Sequence, residues 1–590
     1  MKKNVIIFII DSLNNTRIRQ YGDVLMPYFT SLKHKYCFAD QMYSEAPYTE
    51  AALMNLYCGQ DVLQDNGYLF RFRDAKSTFF EEMQKEGYTT YFNAYQPQCY
   101  PSSLRRGVDY IYYNVGFDID AFWSYRIYHY SELYNNNCLK EYDYVNLKEL
   151  LEDNFKEWLI FLDALLTNDE SIGMIKGNAG DYDPCMVKVY VKEQYDLFNQ
   201  DNISYINNLL KKGYNHPLFK IRSYSQCTKI KNRSSVENIR KVLKPLYRKI
   251  KWINFKRNFS SIPTLCKTIS GTVIRYLSKE VERKDLLKTG FYSLNHLFDF
   301  DLYGRINSDF DSFKNAPSAR THIDHFMNWA KVHSTEKPFF ACIHVDDVHN
   351  PEVFFTYDTD RMDIIEEEAA LANRTLESLP RGSRGSVTHD LSLSYIDNII
   401  KYLVESVKAQ KFGDNTSILI CADHGFSFSG DPFRESYVTN LYLENYNMPF
   451  LIIDDSLMNI EIKGLRSSKD IPRFIKDMSV DSKQAYNNLP EHKVCIIEYC
   501  GGGCPDLTRR KLKIAAFDKE FFVGTLCDVY KELTDNEITE IYNLKDDLAQ
   551  SINLRSKNYD KSKIIHLINV IKERRKEIRN SMNDSNSINY

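Results

Sequence analysis

No stretch of this chain reaches the roughly 18 apolar residues in a row that a membrane-spanning helix requires, so nothing in its 590 residues reads as a span. A secretory leader is not expected either: the apolar run near the start is short, ends in Asp11 and has no small-residue cleavage site. Together these absences give the cytoplasm as the expected compartment. Cysteine occurs 13 times, yet without dense short spacing, which predicts reduced thiols rather than a disulfide framework. Net charge is also scarce. At −3 it argues against a protein held on nucleic acid by charge, and no nucleic-acid partner is expected.

What remains is the composition of a globular protein, with 43% hydrophobic and 26% charged residues. The length suffices for one large core with insertions or for several domains. The 42 Tyr and 35 Phe belong mostly to core, although exposed ones could line a carbohydrate site.

Three stretches carry the chemistry. Ser417-Ile418-Leu419-Ile420-Cys421 is a short apolar, β-branched run that reads as a buried strand, and it leads into Ala422-Asp423-His424-Gly425. A carboxylate and an imidazole at a strand end suit a divalent cation, and carboxyl ends of strands are where open α/β sheets build sites. Asn4 to Ile10 is a second such run, ending in Asp11-Ser12. In Ala46-Pro47-Tyr48-Thr49-Glu50-Ala51-Ala52-Leu53, a Thr opens a helical pattern. The plainer readings are that Asp11 and Thr49 cap helices and that Asp423 caps a turn. The functional reading is a metal-activated Thr49 hydroxyl at a helix N-terminus whose dipole favours an anionic substrate.

With these residues in view, the chain resembles the sulfatase branch of the alkaline phosphatase superfamily. Asn4 to Asp11 is similar to that family's first strand and first metal ligand, and Ala46 to Gly59 to its nucleophile helix. Thr78 to Thr90 is similar to its helix followed by a Gly-Tyr-x-Thr strand. Lys337 to Pro351 resembles its strand ending in His-x-Pro, Tyr395 to Gly425 its helix and strand before Asp-His-Gly, and Glu540 to Leu554 its C-terminal segment. The resemblance implies an α/β fold: an alkaline-phosphatase-like, mostly parallel central sheet flanked by helices, with a large mainly helical insertion and a small C-terminal α+β subdomain. It divides the chain into catalytic core 1–115, insertion 116–310, core 311–480 and C-terminal subdomain with its helix 481–590.

The resemblance also implies roles. Asp11, Thr49, Asp423 and His424 would bind one divalent cation, with Zn²⁺ or Mn²⁺ favoured over Ca²⁺ or Mg²⁺ for a mixed N and O ligand set. Thr49 would be the nucleophile and His349 would assist the leaving group. Anionic substrate would meet His349, Arg434 and Arg509. Departures are equally informative. Sulfate-cleaving members carry Cys or Ser at the nucleophile position for conversion to formylglycine, and here it is Thr49. The usual second Asp of the first strand end is Ser12, and the family's two substrate-binding lysines fall near Tyr95 and Val438. A Thr nucleophile with Asp and His ligands is similar to the phosphoethanolamine and phosphoglycerol transferases. The expected substrate is therefore an anionic phospho-ester, glycan or lipid-linked, with a sulfuric ester hydrolase and a non-catalytic binding scaffold as the alternatives.

Two further stretches attract attention. Residues 211–288 carry roughly twenty Lys and Arg against about four acids, and Ile239, Val242, Leu243, Leu246, Ile250 and Ile253 recur at helical spacing. The simpler account is a solvated helical insertion; the sharper one is a basic amphipathic surface in peripheral contact with an anionic membrane or glycan. In Ile343 to His349, strand alternation would send His344 and Asp346 to one side, Asp347 and His349 to the other. His344 and Asp346 are then expected to pack or to form a surface pair. Cys495, Cys500 and Cys504 surround a Gly run that would shape a loop at the site mouth, with Arg509 and Arg510 just beyond.

Overall fold

The computed structural model describes residues 2–64, 75–94, 106–113, 141–167, 172–174, 183–221, 233–259, 262–278, 318–334, 337–349, 362–379, 387–426, 441–499, 512–528, 533–557 and 559–585, with isolated positions between 127 and 139 and between 283 and 290. In chain order the first elements are β1 (Asn4–Ile10), α1 (Asn15–Leu25), α2 (Pro27–Lys35), β2 (Cys37–Tyr43), α3 (Thr49–Cys58), α4 (Phe79–Lys85), β3 (Thr89–Ala94) and β4 (Tyr110–Tyr113). A helical stretch follows: α5 (Glu141–Thr167), a short β5 (Ile172–Met174), α6 (Pro184–Gln200), α7 (Asn202–Lys212), α8 (Arg233–Asn258) and α9 (Ile262–Leu277). Then come α10 (Ala319–His333), β6 (Phe339–Val345), α11 (Met362–Ser378), α12 (Val387–Lys408), β7 (Thr416–Cys421), β8 (Asn447–Ile453), β9 (Glu461–Ile462), β10 (Arg466–Ser467), α13 (Ile471–Met478) and α14 (Ser482–Asn488). The chain closes with β11 (Cys495–Tyr499), β12 (Leu512–Phe517), β13 (Phe521–Cys527), β14 (Ile538–Asn543) and α15 (Ile565–Ser585).

Among the described residues, the main sheet has ten strands in the order β10-β2-β8-β7-β1-β6-β3-β4-β5, with β9 beside β2. β1 lies at its centre, parallel to β6 on one side and β7 on the other. Only β8 runs antiparallel to its neighbours β2 and β7. The apolar runs of β1 and β6 are buried at every position, as a parallel strand covered on both faces demands. Because β7, β1 and β6 are adjacent and parallel, their carboxyl ends fall on one edge, which brings the residues after Ile10, Val345 and Cys421 together.

The helical stretch divides. α5, α6 and α7 form their own apolar cluster around Leu151, Phe155, Val191 and Leu209. α8 joins the main core through Ile239, Leu243, Leu246 and Ile250, packed on α11 and α12. The apolar stripe read as amphipathic is therefore occupied by the protein itself. Burial of each such side chain is worth about 1.5–3 kcal/mol, so this face is not available to lipid. The C-terminal strands form a separate antiparallel sheet, β11-β12-β13-β14, carrying α15.

Candidate active site

Asp11 stands directly after β1, and its backbone N–H still bonds the Val345 carbonyl of β6 at 2.9 Å. Ser12 then turns the chain with φ 61, a left-handed conformation uncommon for a residue with a side chain. That turn aims Ser12 N–H at Asp423 Oδ1 (3.2 Å) and its hydroxyl at Asp11 Oδ1 (2.7 Å). After β7, Asp423 and His424 are completely buried. Gly425 is required here by space: a Cβ would lie 2.2 Å from the Glu444 carbonyl oxygen.

Thr49 opens α3, and the cap position belongs to Tyr48, which makes no side-chain capping bond. The Thr49 hydroxyl donates instead to Asp11 Oδ2 at 2.9 Å, inside the protein. The helix-cap reading of Thr49 is thus removed, and the hydroxyl is tied to the acid cluster.

His344 and His349 correct the strand-alternation argument. β6 ends at Val345, and residues 346–349 form a turn closed by His349 N–H to the Asp346 carbonyl at 3.0 Å. Alternation does not continue through a turn, so both histidines reach the same cluster. His349 Nδ1 lies 3.0 Å from Asp11 Oδ1, and His344 Nε2 lies 3.9 Å from Asp423 Oδ2. His344 is fully buried rather than on the surface. The signal that could have found it was a histidine one residue before the end of an otherwise apolar strand flanking β1. Asp347 has a separate task, accepting Ala319 N–H at the start of α10 (3.1 Å).

The polar atoms converge in a way that calls for a cation. His424 Nδ1 is 2.7 Å from the Gly425 carbonyl, which can only accept, so Nδ1 carries the proton. In a neutral ring Nε2 then turns a lone pair toward Asp11 Oδ1 and Asp423 Oδ2, each at 3.6 Å. Asp423 Oδ2 is buried and, among the described residues, accepts no hydrogen bond. Lone pairs facing one another in a dry site repel unless positive charge lies between them. Asp11, His349 and His424 each offer one ligand atom within 4.8 Å of the others, and so do Asp11, His344 and Asp423.

The titration behaviour follows from this crowding. Burial would raise the Asp11 carboxyl, but the His349 charge and hydrogen bond, with His424 and His344, outweigh it and hold Asp11 well below the carboxylate range. Burial opposes charging His349; Asp11, then Asp346 and Asp423, overcome it and push the imidazole up to about 10. Burial moves His344 the other way, downward.

The structure brings Asp11, Thr49, His349, Asp423 and His424 together. Arg434, Arg509 and Arg510 lie outside the described residues, as do Cys500, Cys504 and the Gly run between them. The described cysteines, Cys495 included, are free thiols.

The sulfatase family model matches residues 3–174 and 248–477. No curated protein matches the chain. Similar solved structures include a putative sulfatase from Bacteroides thetaiotaomicron, at 10% identity and TM-score 0.48 over 100% of this chain and 95% of that one. A phosphonate monoester hydrolase of Agrobacterium radiobacter is 10% identical with TM-score 0.45, covering 98% and 96%. Another from Silicibacter pomeroyi is 11% identical with TM-score 0.45, covering 97% and 94%.

Proposed function

Since the chain belongs to the sulfatase family, we propose that it is a metal-dependent hydrolase or transferase that cleaves or transfers a phospho-ester group through Thr49, on a glycan or lipid-linked precursor. One observation carries the reading: a buried Thr hydroxyl at the first position of α3, not used as a cap, is hydrogen-bonded to the Asp that the histidines surround.

Asp11, Asp423 and His424, with Thr49, would hold the cation, and His344 and His349 stand beside them. When bound, a divalent ion supplies charge that lowers the pKa of the hydroxyl and offsets the negative charge of the phospho group. The chain does the rest. Asp11 orients Thr49 Oγ1, and the N-terminus of α3 favours an incoming anion. Thr49 Oγ1 bonds to phosphorus as the ester oxygen departs, and the hydroxyl proton is released to solvent water, since Asp11 is held too far below the carboxylate range to keep it. His349 supplies the proton that the leaving oxygen takes up. Water or an acceptor hydroxyl then displaces the phospho group from Thr49, giving hydrolysis or transfer.

Sulfuric ester hydrolysis is the second reading, favoured by the family itself. Against it stands the Thr49 methyl group: because Cβ carries it, oxidation of the Cβ alcohol would give a ketone, not the aldehyde that formylglycine chemistry uses. The test is intact-protein mass after a brief quench with an aryl phosphodiester. A phospho adduct on Thr49, absent in Thr49→Ala and present in Thr49→Ser, is the expected result. An active Thr49→Ala enzyme would overturn the reading, and turnover of sulfate esters alone would favour the second.

A further inference from the structure

The outward face of α8 carries a feature that the catalytic reading leaves unused. With Ile239, Leu243, Leu246 and Ile250 turned inward, the opposite side of the helix presents Lys241, Lys244, Arg248, Trp252, Lys256 and Phe259, all exposed. These positions recur at three- and four-residue spacing, so they form one ridge. Trp252 and Phe259 are each 57% exposed, which is unusual for such large rings. They are linked by Phe255, stacked 6.1 Å from Trp252 and edge-on 5.6 Å from Phe259. Lys256 Nζ sits 4.8 Å over the Trp252 ring. Among the described residues no carboxylate lies within salt-bridge range of Lys241, Lys244, Arg248 or Lys256.

We infer that this ridge docks the protein on an anionic lipid surface, the rings entering the headgroup region and the basic side chains meeting lipid phosphates. Aromatic rings prefer the membrane–water boundary, and clustered Lys and Arg are drawn to anionic leaflets. The helix is anchored for such a task. Its inner face is core, Lys249 reaches Asn373 of α11 at 3.2 Å, and Arg257 bonds Asp390 of α12 at 2.6 Å.

The placement of the ridge is also informative. Asp390 lies in the first turn of α12, which runs back along the sheet to feed β7, and β7 then returns to Asp423. The first turn of α12 is therefore at the same sheet edge as the catalytic cluster. The end of α8 that carries Trp252 and Phe259 shares that edge through Arg257. Contact there would turn the site toward the bilayer. The described residues include no helix long and apolar enough to cross a membrane, so the contact would be peripheral.

The test is flotation of the full-length protein with vesicles of phosphatidylcholine alone and of phosphatidylcholine containing phosphatidylglycerol. Binding only to the anionic vesicles is expected, weakening as salt rises. Trp252→Ala/Phe259→Ala and Lys244→Glu/Arg248→Glu should each reduce it by about tenfold or more, with far-UV circular dichroism unchanged because all four side chains are exposed. Brominated lipid should quench tryptophan fluorescence in the wild type and lose that effect in Trp252→Phe. Equal or negligible flotation with both vesicle types would overturn the inference. So would anionic binding that is unchanged in the aromatic double variant and equalled by heparin or RNA, since that is charge attraction without insertion. None of these readouts depends on Thr49 chemistry.

Discussion

Two buried centres in this protein pair an aspartate with a histidine, and their histidines move in opposite directions. At the candidate active site, Asp11 and its neighbours push His349 up to about 10 against the effect of burial. At the other, burial, with Arg17 adding to it, pushes His389 down to about 3 although Asp390 is the adjacent residue. The difference lies in what else each carboxylate meets. Asp390 accepts Arg17 Nε and Nη2, both at 2.8 Å, and Arg257 Nη1 at 2.6 Å, so its charge is more than matched. Asp11 and Asp423 instead face His349, His424 and His344, with the Ser12 and Thr49 hydroxyls bonded to Asp11. A carboxylate bonded to two guanidiniums ties helices together, whereas carboxylates set among histidines offer the mixed oxygen and nitrogen donors that could hold a metal ion.

The sharpest way to break this comparison is to remove one acid from each centre. Asp423→Ala should abolish tight metal binding and lower turnover at least about a thousandfold, on the order of 4 kcal/mol of barrier. The apo-form should lose less stability than Asp390→Ala does, because relief of two apposed acids offsets the loss of the acceptor for Ser12 N–H and His424 N–H. In thermal melts wild type should gain stability with added Zn²⁺ or Mn²⁺, about 2.7 kcal/mol at a hundred times Kd, and the variant should not. An unchanged metal content by elemental analysis would remove Asp423 from the site.

Asp390→Ala should behave differently. It leaves two buried guanidiniums without their shared carboxylate, a loss of about 3–5 kcal/mol in denaturant unfolding. Added metal should not restore it. A loss below about 1 kcal/mol would mean that Asp390 is not the charge that holds α1, α8 and α12 together.

His389 offers a pH test of the same contrast. Its folded pKa of about 3 lies below its unfolded value, so between pH 6.5 and 3 the unfolded chain binds a proton that the native protein does not. Its contribution is present above pH 6.5 and is lost as pH falls through that window, by a few kcal/mol at most. His389→Gln should flatten this part of the stability–pH curve, and an identical slope in the variant would show that other groups set it.

Legibility in the sequence followed the same division. Asp11, Asp423 and His424 could be read because each closes an apolar strand, and Thr49 because it opens a helix; short-range pattern suffices for both. The mostly parallel sheet was legible for the same reason. His344 was missed because a period of two was continued beyond the strand, where the turn at 346–349 ends it. The apolar stripe of α8 was visible, but its partner was not, since α11 and α12 are more than a hundred residues away. The Arg17–Asp390–Arg257 cluster spans 373 and 133 positions, and no local pattern announces it. The roles assigned to Arg434 and Arg509 lie outside the described residues.

A third buried acid sharpens the comparison with the smallest effect. Asp397 of α12 accepts Phe29 N–H at 2.8 Å and Tyr28 N–H at 3.0 Å, closing the N-terminus of α2, where the cap residue Met26 has no side-chain acceptor to offer. Among the described residues it has neither a guanidinium partner nor a metal-ligating cluster around it; its charge is met by backbone donors and a more distant Lys401. Burial accordingly wins over those bonds, and its carboxyl rises to about 6. The native protein therefore binds a proton here more tightly than the unfolded chain, and this contribution to stability falls as pH rises from about 4 to about 6. Asp397→Asn keeps an oxygen acceptor for α2 and removes the titration. The variant should lose about 1 kcal/mol or less where wild type is protonated, near the value of an ordinary cap. Above pH 6, where wild type must bury a charge on amides alone, it should equal or exceed wild type. Denaturant unfolding of the pair at pH 4.5 and 7.5 decides the matter. A variant that is worse at pH 7.5 than at 4.5 would show that two backbone N–H groups compensate a buried carboxylate as fully as two arginines do.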